Sequence, residues 1–187
     1  MPGTLFDFGE FPVLETERLM LREITLKDTA AVFAIRGDYE VTKYNIGAAY
    51  LDMAQASSLI VSIKGDYLHK RAVRWGMVLK DTGEFVGMCG YNYWNQQDFR
   101  ASIGYDLLRS QWGKGLMPET LRAVIAFGFQ QMNLNRIEAD TSLNNIASVR
   151  VLQKLGFRQE GRQREQYFEN GRFYDLLLFS LLRREHV

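Results

Sequence analysis

The feature that most constrains the fold is a change of hydrophobic period along the chain. Apolar residues recur at helical spacing over residues 25–37 and again over residues 52–63. Residues 74–108 instead contain strand-like runs, and residues 117–132 return to a helical pattern. Segments of both kinds bury their apolar faces together when helices pack against a sheet. The sequence therefore predicts an α/β (α+β) fold.

The two early helices begin with residue pairs that are typical of helix N-termini. Thr25 is followed three residues later by Asp28, and Asp52 is followed three residues later by Gln55. In such a pair each side chain accepts a hydrogen bond from the other residue's main chain. Gly37 is expected to end the first of these helices.

Seven segments are predicted as strands from their β-rich composition and the turn residues around them. In chain order they are residues 18–25, 74–80, 84–94, 100–108, 136–142, 161–168 and 172–182. Asn170 and Gly171 predict a type I′ hairpin turn between the last two. Two later helices are expected over residues 117–132 and 145–157, so the order is β-α-α-β-β-β-α-β-α-β-β.

Length, charge and composition restrict the classes of function. The 187 residues predict one domain over 1–187, with 1–13 as a loose leader. The net charge of +1 gives no reason to expect nucleic acid or a membrane surface as a partner. No apolar run has spanning length, and the first residues lack the pattern of a secretory signal, so a cytoplasmic protein is expected.

Histidine and cysteine are scarce, which restricts the chemistry further. His69 and His186 lie far apart in the chain, so neither a metal site nor a Ser–His triad is expected. Cys89 is the only cysteine, which rules out an internal disulfide. Its place in a predicted strand indicates a buried structural thiol.

The stretch RSQWGKGLMPE (residues 109–119) joins a predicted strand to a predicted helix. Gly113 and Gly115 allow several N–H groups to point at one anion, and the helix dipole adds partial positive charge. Lys114 adds a charged donor, so the pattern favours a phosphate or pyrophosphate. Taken alone, such a glycine pair more often only makes a turn, and it matches neither the ATP nor the dinucleotide signature.

Three motifs in a fixed order give a more specific indication. They are WGKGLMPE (112–119), RIEA (136–139) and N-x-x-S followed by KLGF (145–157). Together they resemble the GNAT superfamily of acetyl-CoA-dependent N-acetyltransferases. The chain is most similar to the RimJ/RimL-type branch, which acetylates ribosomal-protein N-termini. LETERLMLREIT and YFENGRFYDLLLFSLL are similar to that branch too, so the resemblance covers residues 13–183.

The resemblance implies a mixed, mostly antiparallel sheet of about seven strands with about four helices. Its fourth strand (100–108) and fifth strand (136–142) part, and the pantetheine arm of coenzyme A lies between them. The pyrophosphate lies on the loop amides, and Asn145 and Ser148 face the thioester end. Asn145 is equally interpreted as a helix N-cap. The implied acetyl-CoA-binding residues are Asp106, Leu107, Leu108, Gln111, Trp112, Gly113, Lys114, Gly115, Leu116, Met117, Asn145 and Ser148.

The implied reaction is direct attack of an amine on the acetyl thioester in a ternary complex. It requires a neutral amine, donors for the oxyanion and a proton for the departing thiolate. A main-chain N–H near Leu107 is the expected oxyanion donor. Neither a covalent acetyl-enzyme nor a metal is required.

Three positions depart from the family pattern that the resemblance supplies. Ser110 stands where many members have Gln or Arg before the glycine loop, which removes one side-chain contact. Ser102 stands in place of a glutamate base, and Leu152 stands in place of a tyrosine that protonates the thiolate. The usual acid and base are therefore missing.

Other residues are candidates for these two roles. Glu165 and Glu138 are the candidate bases, although Glu165 is equally interpreted as a solvated charge and alternation equally predicts that Glu138 points outward. Ser148 is the candidate acid, directly or through water. Asp175 either has a structural role or orients the substrate.

The leading hypothesis is N-acetylation of a protein or peptide α-amino group. A small amine such as an amino acid, polyamine or aminoglycoside is an alternative acceptor. The leader and residues 36–53 would shape the acceptor site, and nothing in them decides between the two. The missing glutamate and tyrosine also leave open a non-catalytic acyl-CoA-binding module. With 12 Phe, 9 Tyr and 3 Trp, a homodimer contact is open as well.

Overall fold

A computed structural model describes residues 6–45, 47–169 and 171–186. Within these ranges eight strands form one mixed sheet in the order β1-β2-β3-β4-β5-β6-β8-β7. Neighbouring strands are antiparallel except β5 and β6, which are parallel. The strands are β1 (Leu14–Glu15), β2 (Leu19–Arg22), β3 (Val73–Leu79), β4 (Phe85–Asn95), β5 (Arg100–Leu107), β6 (Arg136–Ser142), β7 (Arg158–Glu169) and β8 (Arg172–Leu182).

Helices cover both faces of the sheet. They are α1 (Thr29–Arg36), α2 (Tyr39–Thr42), α3 (Met53–Leu68), α4 (Leu116–Gln130) and α5 (Ile146–Lys154). Helices α1 and α3 bury one apolar cluster against β3 and β4, and α4 and α5 bury a larger cluster on the other face. No helix in the described ranges is long and apolar enough to cross a bilayer.

The predicted fold class is confirmed, with one strand and one helix more than expected. The additional elements, β1 and α2, are too short to produce a hydrophobic period. The cap at α3 forms as predicted, because Asp52 Oδ1 accepts from the Gln55 N–H at 2.9 Å and Gln55 Oε1 accepts from the Asp52 N–H at 3.3 Å. The predicted type I′ turn includes Asn170, which lies outside the described residues.

Residues 6–13, expected as a loose leader, lie against the core in an irregular conformation. The Phe8 ring centroid lies 5.2 Å from that of Trp94, and the Phe11 centroid lies 4.9 Å from that of Tyr67. Phe6 packs beside them against the same tryptophan at 6.3 Å. Aromatic side chains contribute large buried areas, so this segment is held by packing without forming a helix or strand.

Strands β5 and β6 part after a short stretch of pairing. Residues 100–102 pair with residues 136–138, and the two strands then diverge. Each remains paired with its outer neighbour, since β4 follows β5 to Leu107 and β8 follows β6 to Ser142. The result is a gap inside a continuous sheet, between the fourth and fifth of the predicted strands.

Candidate active site

The gap between β5 and β6 opens into a cavity of about 220 Å³. Strand β5 contributes residues 103–106 to its lining and β6 contributes residues 139–142. Helix α5 contributes Asn145, Ser148 and Leu152. The cavity therefore lies where the resemblance implied the thioester end of acetyl-CoA.

The free edge of β5 presents main-chain polar groups to the gap. The Leu108 N–H donates to the Val86 carbonyl of β4 at 2.8 Å. Because successive residues of a strand direct their polar groups to opposite edges, Leu107 faces the gap and Asp106 faces β4. The Leu107 carbonyl accepts from the Trp112 indole N–H at 2.8 Å.

The glycine loop, which contains Gly113 and Gly115, lies between β5 and α4, and several of its main-chain amides are unpaired. Gly113 has φ 74° and Gly115 has φ 77°, both in the left-handed region that favours glycine. The N–H groups of residues 113–117 donate to no atom in the part of the chain that the structure describes. A Cβ added at Gly113 would meet nothing within 4 Å. Unpaired donors at an open helix N-terminus are suited to a phosphate group.

Side-chain hydrogen bonds and an ion pair stabilise this loop. The Arg18 guanidinium donates to the Lys114 carbonyl at 2.9 Å and pairs with Glu119 at 2.7 Å. Gln111 is buried, and its side chain accepts from Lys114 Nζ at 2.9 Å and donates to Glu84 at 3.3 Å. The side chains of Gln111 and Lys114 therefore hold the loop in place. The N–H groups of Gln111 and Trp112, also predicted as pyrophosphate donors, instead donate to the Leu108 and Arg109 carbonyls at 2.9 and 3.1 Å, so the unpaired amides begin at Gly113.

Two hydroxyls meet at the α5 wall of the cavity. Asn145 Oδ1 accepts from the Ser148 N–H at 3.1 Å, which is the N-cap contact, and both residues also line the cavity. Ser148 Oγ lies 2.8 Å from Tyr105 Oη, and either oxygen can donate. Burial raises the pKa of Tyr105 to about 12, so this phenol stays protonated at neutral pH. A phenol therefore reaches this wall from β5, at Tyr105, although the position of the family tyrosine on α5 is occupied by Leu152.

Neither carboxylate predicted as a base lines the cavity. Glu138 is half-buried and pairs with Arg136 at 2.8 Å and Arg100 at 3.4 Å. Glu165 is exposed in a bulge of β7, where its N–H donates to Asp175 Oδ1 at 2.7 Å. Their assignment as bases stays a prediction, and Asp175 supports the bulge.

Asp140 is the carboxylate of the cavity that sequence reasoning missed. It lines the cavity and has no ion pair or hydrogen bond with another of the described residues. Partial desolvation by the surrounding cavity raises the pKa of its carboxyl group, although the residue as a whole is exposed. Alternation along the strand indicates the position of Asp140, because it places Asp140 on the same strand face as Glu138. Asp140 lies just beyond the last β5–β6 pair, which joins Ser102 to Glu138.

Asp106, the other carboxylate of the cavity, is surrounded by donors. Its side chain accepts from Asn45 Nδ2 at 2.7 Å and from Arg36 Nη1 at 3.3 Å. Arg74 Nη2 lies 3.9 Å from the same carboxylate. Arg36 and Arg74 form a cationic wall of the cavity, and the side chain of Asp106 faces it. The resemblance implied only a main-chain contact for Asp106.

Cys89 takes no part in the cavity. Its side chain is fully buried in β4, and burial raises the pKa of the thiol to about 12. The prediction of a structural thiol is confirmed. Among the described residues no group of three or more His, Cys, Asp or Glu is arranged to hold a metal ion.

Comparisons with known proteins agree with this geometry. Residues 18–158 match the family model described as "Acetyltransferase (GNAT) domain". The uncharacterized N-acetyltransferase p20 of Bacillus licheniformis is 41% identical over 93% of this chain and 98% of its own length. The [ribosomal protein uS5]-alanine N-acetyltransferase of Escherichia coli is 30% identical over 60% of each chain.

A solved structure extends the likeness to the whole fold. Mycobacterium smegmatis RimJ in complex with CoA-disulfide superposes with a TM-score of 0.81 at 25% identity, covering 92% of this chain and 88% of its own. The family model, the relatives and the parted strands point to one assignment. The chain belongs to the GNAT family and is an N-acetyltransferase with ribosomal-protein N-acetyltransferases among its relatives.

Proposed function

We propose that the protein transfers the acetyl group of acetyl-CoA to the N-terminal α-amino group of a protein or peptide, by direct attack in a ternary complex. The observation that carries the proposal is the gap between β5 and β6, which adjoins both a polar cavity and the unpaired amides of residues 113–117. The names of the ribosomal-protein relative and of the CoA-bound RimJ structure support the acceptor and the cosubstrate.

The free edge of β5 and the glycine loop are suited to binding the cosubstrate. The amides of residues 113–117 would hold the pyrophosphate, with Lys114 as a charged donor nearby. The main chain of Leu107 would pair with the pantetheine arm as an added strand pairs with a sheet edge. This pairing would replace the hydrogen bond that Leu107 receives from Trp112. Asn145 and Ser148 would then lie beside the thioester end.

Asp140 is our candidate for the base that receives the proton of the attacking amine. The amine nitrogen bonds to the thioester carbonyl carbon, the carbon–sulfur bond breaks, and the nitrogen loses one proton. Asp140 is the cavity carboxylate without a cation beside it, whereas Arg136 holds Glu138 and Glu165 lies outside the cavity lining. Its raised pKa brings it closer to the working pH of a general base.

Donors for the two developing negative charges lie along β5. Among the N–H groups of β5 that face the gap, that of Leu107 would bind the oxyanion. The hydroxyl pair of Tyr105 and Ser148 would donate hydrogen bonds to the departing thiolate, which then takes its proton from water. Because the pKa of Tyr105 is raised to about 12, its hydroxyl remains a donor throughout.

The proposal is tested by incubating the protein with acetyl-CoA and a mixture of peptides with free N-termini. We expect release of the CoA thiol that depends on peptide, together with N-terminal acetylation seen by mass spectrometry. The same peptides with blocked N-termini are the control and should release no thiol. Binding of coenzyme A without amine-dependent thiol release would contradict the proposal and indicate a binding module, and acetylation of polyamines alone would contradict the acceptor.

A further inference from the structure

The cationic wall of the cavity has more donors than acceptors. Arg36 and Arg74 both line the cavity and share the single carboxylate of Asp106. Arg36 reaches it with Nη1 alone, at 3.3 and 3.4 Å. The side chain of Arg74 makes no hydrogen bond with any described residue, and its ion pair is 3.9 Å long. The shortest bond to Asp106 comes from the neutral amide of Asn45, at 2.7 Å.

Both guanidinium groups keep a buried nitrogen unpaired. Arg36 Nε and Arg74 Nε have no hydrogen-bond partner among the described residues. Burial lowers the pKa of Arg74, which shows that its surroundings disfavour the charge. An unsatisfied charged donor in the interior costs folding free energy, and native proteins keep few of them without a functional reason.

The side chain of Arg74 reaches the cavity from β3. The residue paired with Arg74 on β4 is Gly90, and the residue paired with Gly90 on β5 is Gly104. Two neighbouring positions on this face therefore carry no side chain. The side chain of Asn92 lies over Gly104, and Arg74 lines the cavity together with it although the strand of Arg74 is two strands away from the gap.

The cavity also contains a separate negative group. Asp140 lies on β6, across the gap from Asp106 on β5, and both side chains are on the sheet face opposite α4 and α5. Among the described residues Asp140 has no cation beside it, whereas the arginine pair has one carboxylate for two charges. The cavity therefore presents separate sites for a positive and a negative group of one ligand.

We infer that the acceptor carries a carboxylate close to its reacting amine, and that Arg74 together with Arg36 binds this carboxylate while Asp140 faces the amine. The inference rests on the proposed function and adds the charge of the acceptor to it. A guanidinium binds a carboxylate through two parallel hydrogen bonds, which matches donors that are now unpaired.

The size of the cavity restricts how far the two groups can be apart. At about 220 Å³ it is smaller than the roughly 300–1,000 Å³ of sites for drug-sized ligands. Such a volume suits one or two amino-acid units, so the carboxylate belongs to the first or second residue. An acidic side chain at a peptide N-terminus and the carboxylate of a free amino acid share this chemistry.

The test compares acceptors that differ only in charge. Peptides beginning Ser-Glu and Glu-Ser are compared with those beginning Ser-Gln and Gln-Ser. Free glutamate is compared with glutamine amide, in which both carboxylates are replaced by amides. We measure kcat/KM by thiol release, and the dissociation constant by calorimetry in the presence of coenzyme A. We expect the better acidic acceptor to exceed its amide partner by roughly 10- to 100-fold in both measurements. A comparison of the acidic peptides with free glutamate shows whether the carboxylate is that of a peptide side chain or that of a free amino acid.

Variants assign the preference to the arginine pair. Arg74→Gln should remove the preference for acidic acceptors, Arg74→Lys should keep part of it, and Arg71→Gln should keep all of it because Arg71 is exposed and pairs only with Asp66. Unchanged affinity for coenzyme A shows that each variant is folded. Equal binding of acidic and amide acceptors by the native protein, or a preference that survives Arg74→Gln, would overturn the inference. Calorimetry compares the binding of acidic and amide acceptors even if no amine is acetylated. Absence of thiol release would therefore contradict the proposed function without deciding the inference about acceptor charge.

Discussion

At the residue scale, Asp140 differs from its neighbour Glu138 in having no cation beside it. If Asp140 accepts the proton of the amine, the low-pH slope of log(kcat/KM) includes one group besides the amine. Asp140→Asn should lower kcat/KM by roughly 10²- to 10⁴-fold and remove that additional slope. The check is a pH–rate profile of both proteins. Glu138→Gln is the control and should keep the slope; if it alone removes the slope, Glu138 is the base.

The same carboxyl group affects stability in the opposite direction. Its pKa is raised on folding, so its contribution to stability is greatest when it is protonated and is lost as the pH rises through the folded pKa. Asp140→Asn should therefore raise the free energy of unfolding at pH 7, but only by about a few tenths of a kcal/mol, because water still reaches this exposed residue. The gain should vanish below about pH 3, where the carboxyl is protonated in both states. Urea unfolding at the two pH values measures this, and a loss of stability at pH 7 would contradict the burial penalty.

Gly128 in α4 packs against the buried hydroxyl of Tyr91. A Cβ at this position would be 2.0 Å from Tyr91 Oη, which donates to the Val124 carbonyl at 2.9 Å. Gly128→Ala should therefore cost about 2–4 kcal/mol in the free energy of unfolding, because the ring cannot move inside the core.

A matched variant and a double mutant check this prediction by urea unfolding. Gly65→Ala in α3 meets nothing within 4 Å and should instead be neutral or stabilising by up to about 1 kcal/mol. Tyr91→Phe removes the hydroxyl, so in the Gly128→Ala background it should cost less than it does alone. Additive effects would show that Tyr91 is not the obstacle.

At the element scale, the glycine loop carries the prediction on cosubstrate binding. Gly113→Val should raise the dissociation constant of coenzyme A at least about tenfold, since a branched side chain covers the unpaired amides and disfavours the positive φ. Lys114→Ala should have a smaller effect, because it removes one charge and leaves the amides in place. Calorimetric titration of coenzyme A measures both.

The control for this loop separates strain from blocked amides. Gly83, in the turn between β3 and β4, also has a positive φ of 72° and open space around it. Gly83→Val should cost similar stability but leave the affinity for coenzyme A unchanged. If Gly113→Val and Gly83→Val bind the coenzyme equally well, the loop is only a turn.

Elements with a clear period or cap were predictable from the sequence, and the groups that act across the gap were not. Residues 136–142 and the cap at Asp52 are found where the sequence placed them, because alternation and capping are local properties. The roles of Tyr105, Asp140 and Arg74 depend on which distant strands part and which glycines lie between them. The family resemblance supplied the gap, but no local pattern indicates which side chains line it.

At the scale of the whole molecule, residues 6–13 connect the sheet to helices α3 and α4. Phe6 and Phe8 pack on Trp94, and Phe6 also contacts Phe127 of α4 at 5.2 Å. Replacing Phe6 and Phe8 together by Ala should lower stability by about 3–5 kcal/mol, which is less than two fully buried phenylalanines would cost. Thermal unfolding measures the change. A melting temperature within 2 °C or so of the native protein would show that the segment only lies on the surface.

The burial of Cys89 has a practical meaning for every experiment that counts sulfhydryl groups. A thiol that is enclosed in β4 and protonated at neutral pH does not react with disulfide reagents while the protein is folded. Colour developed by such a reagent in the native sample would therefore come from the coenzyme alone, so turnover can be read without a protein background. The same reagent would report unfolding, as the one reactive sulfur appears only when the sheet opens.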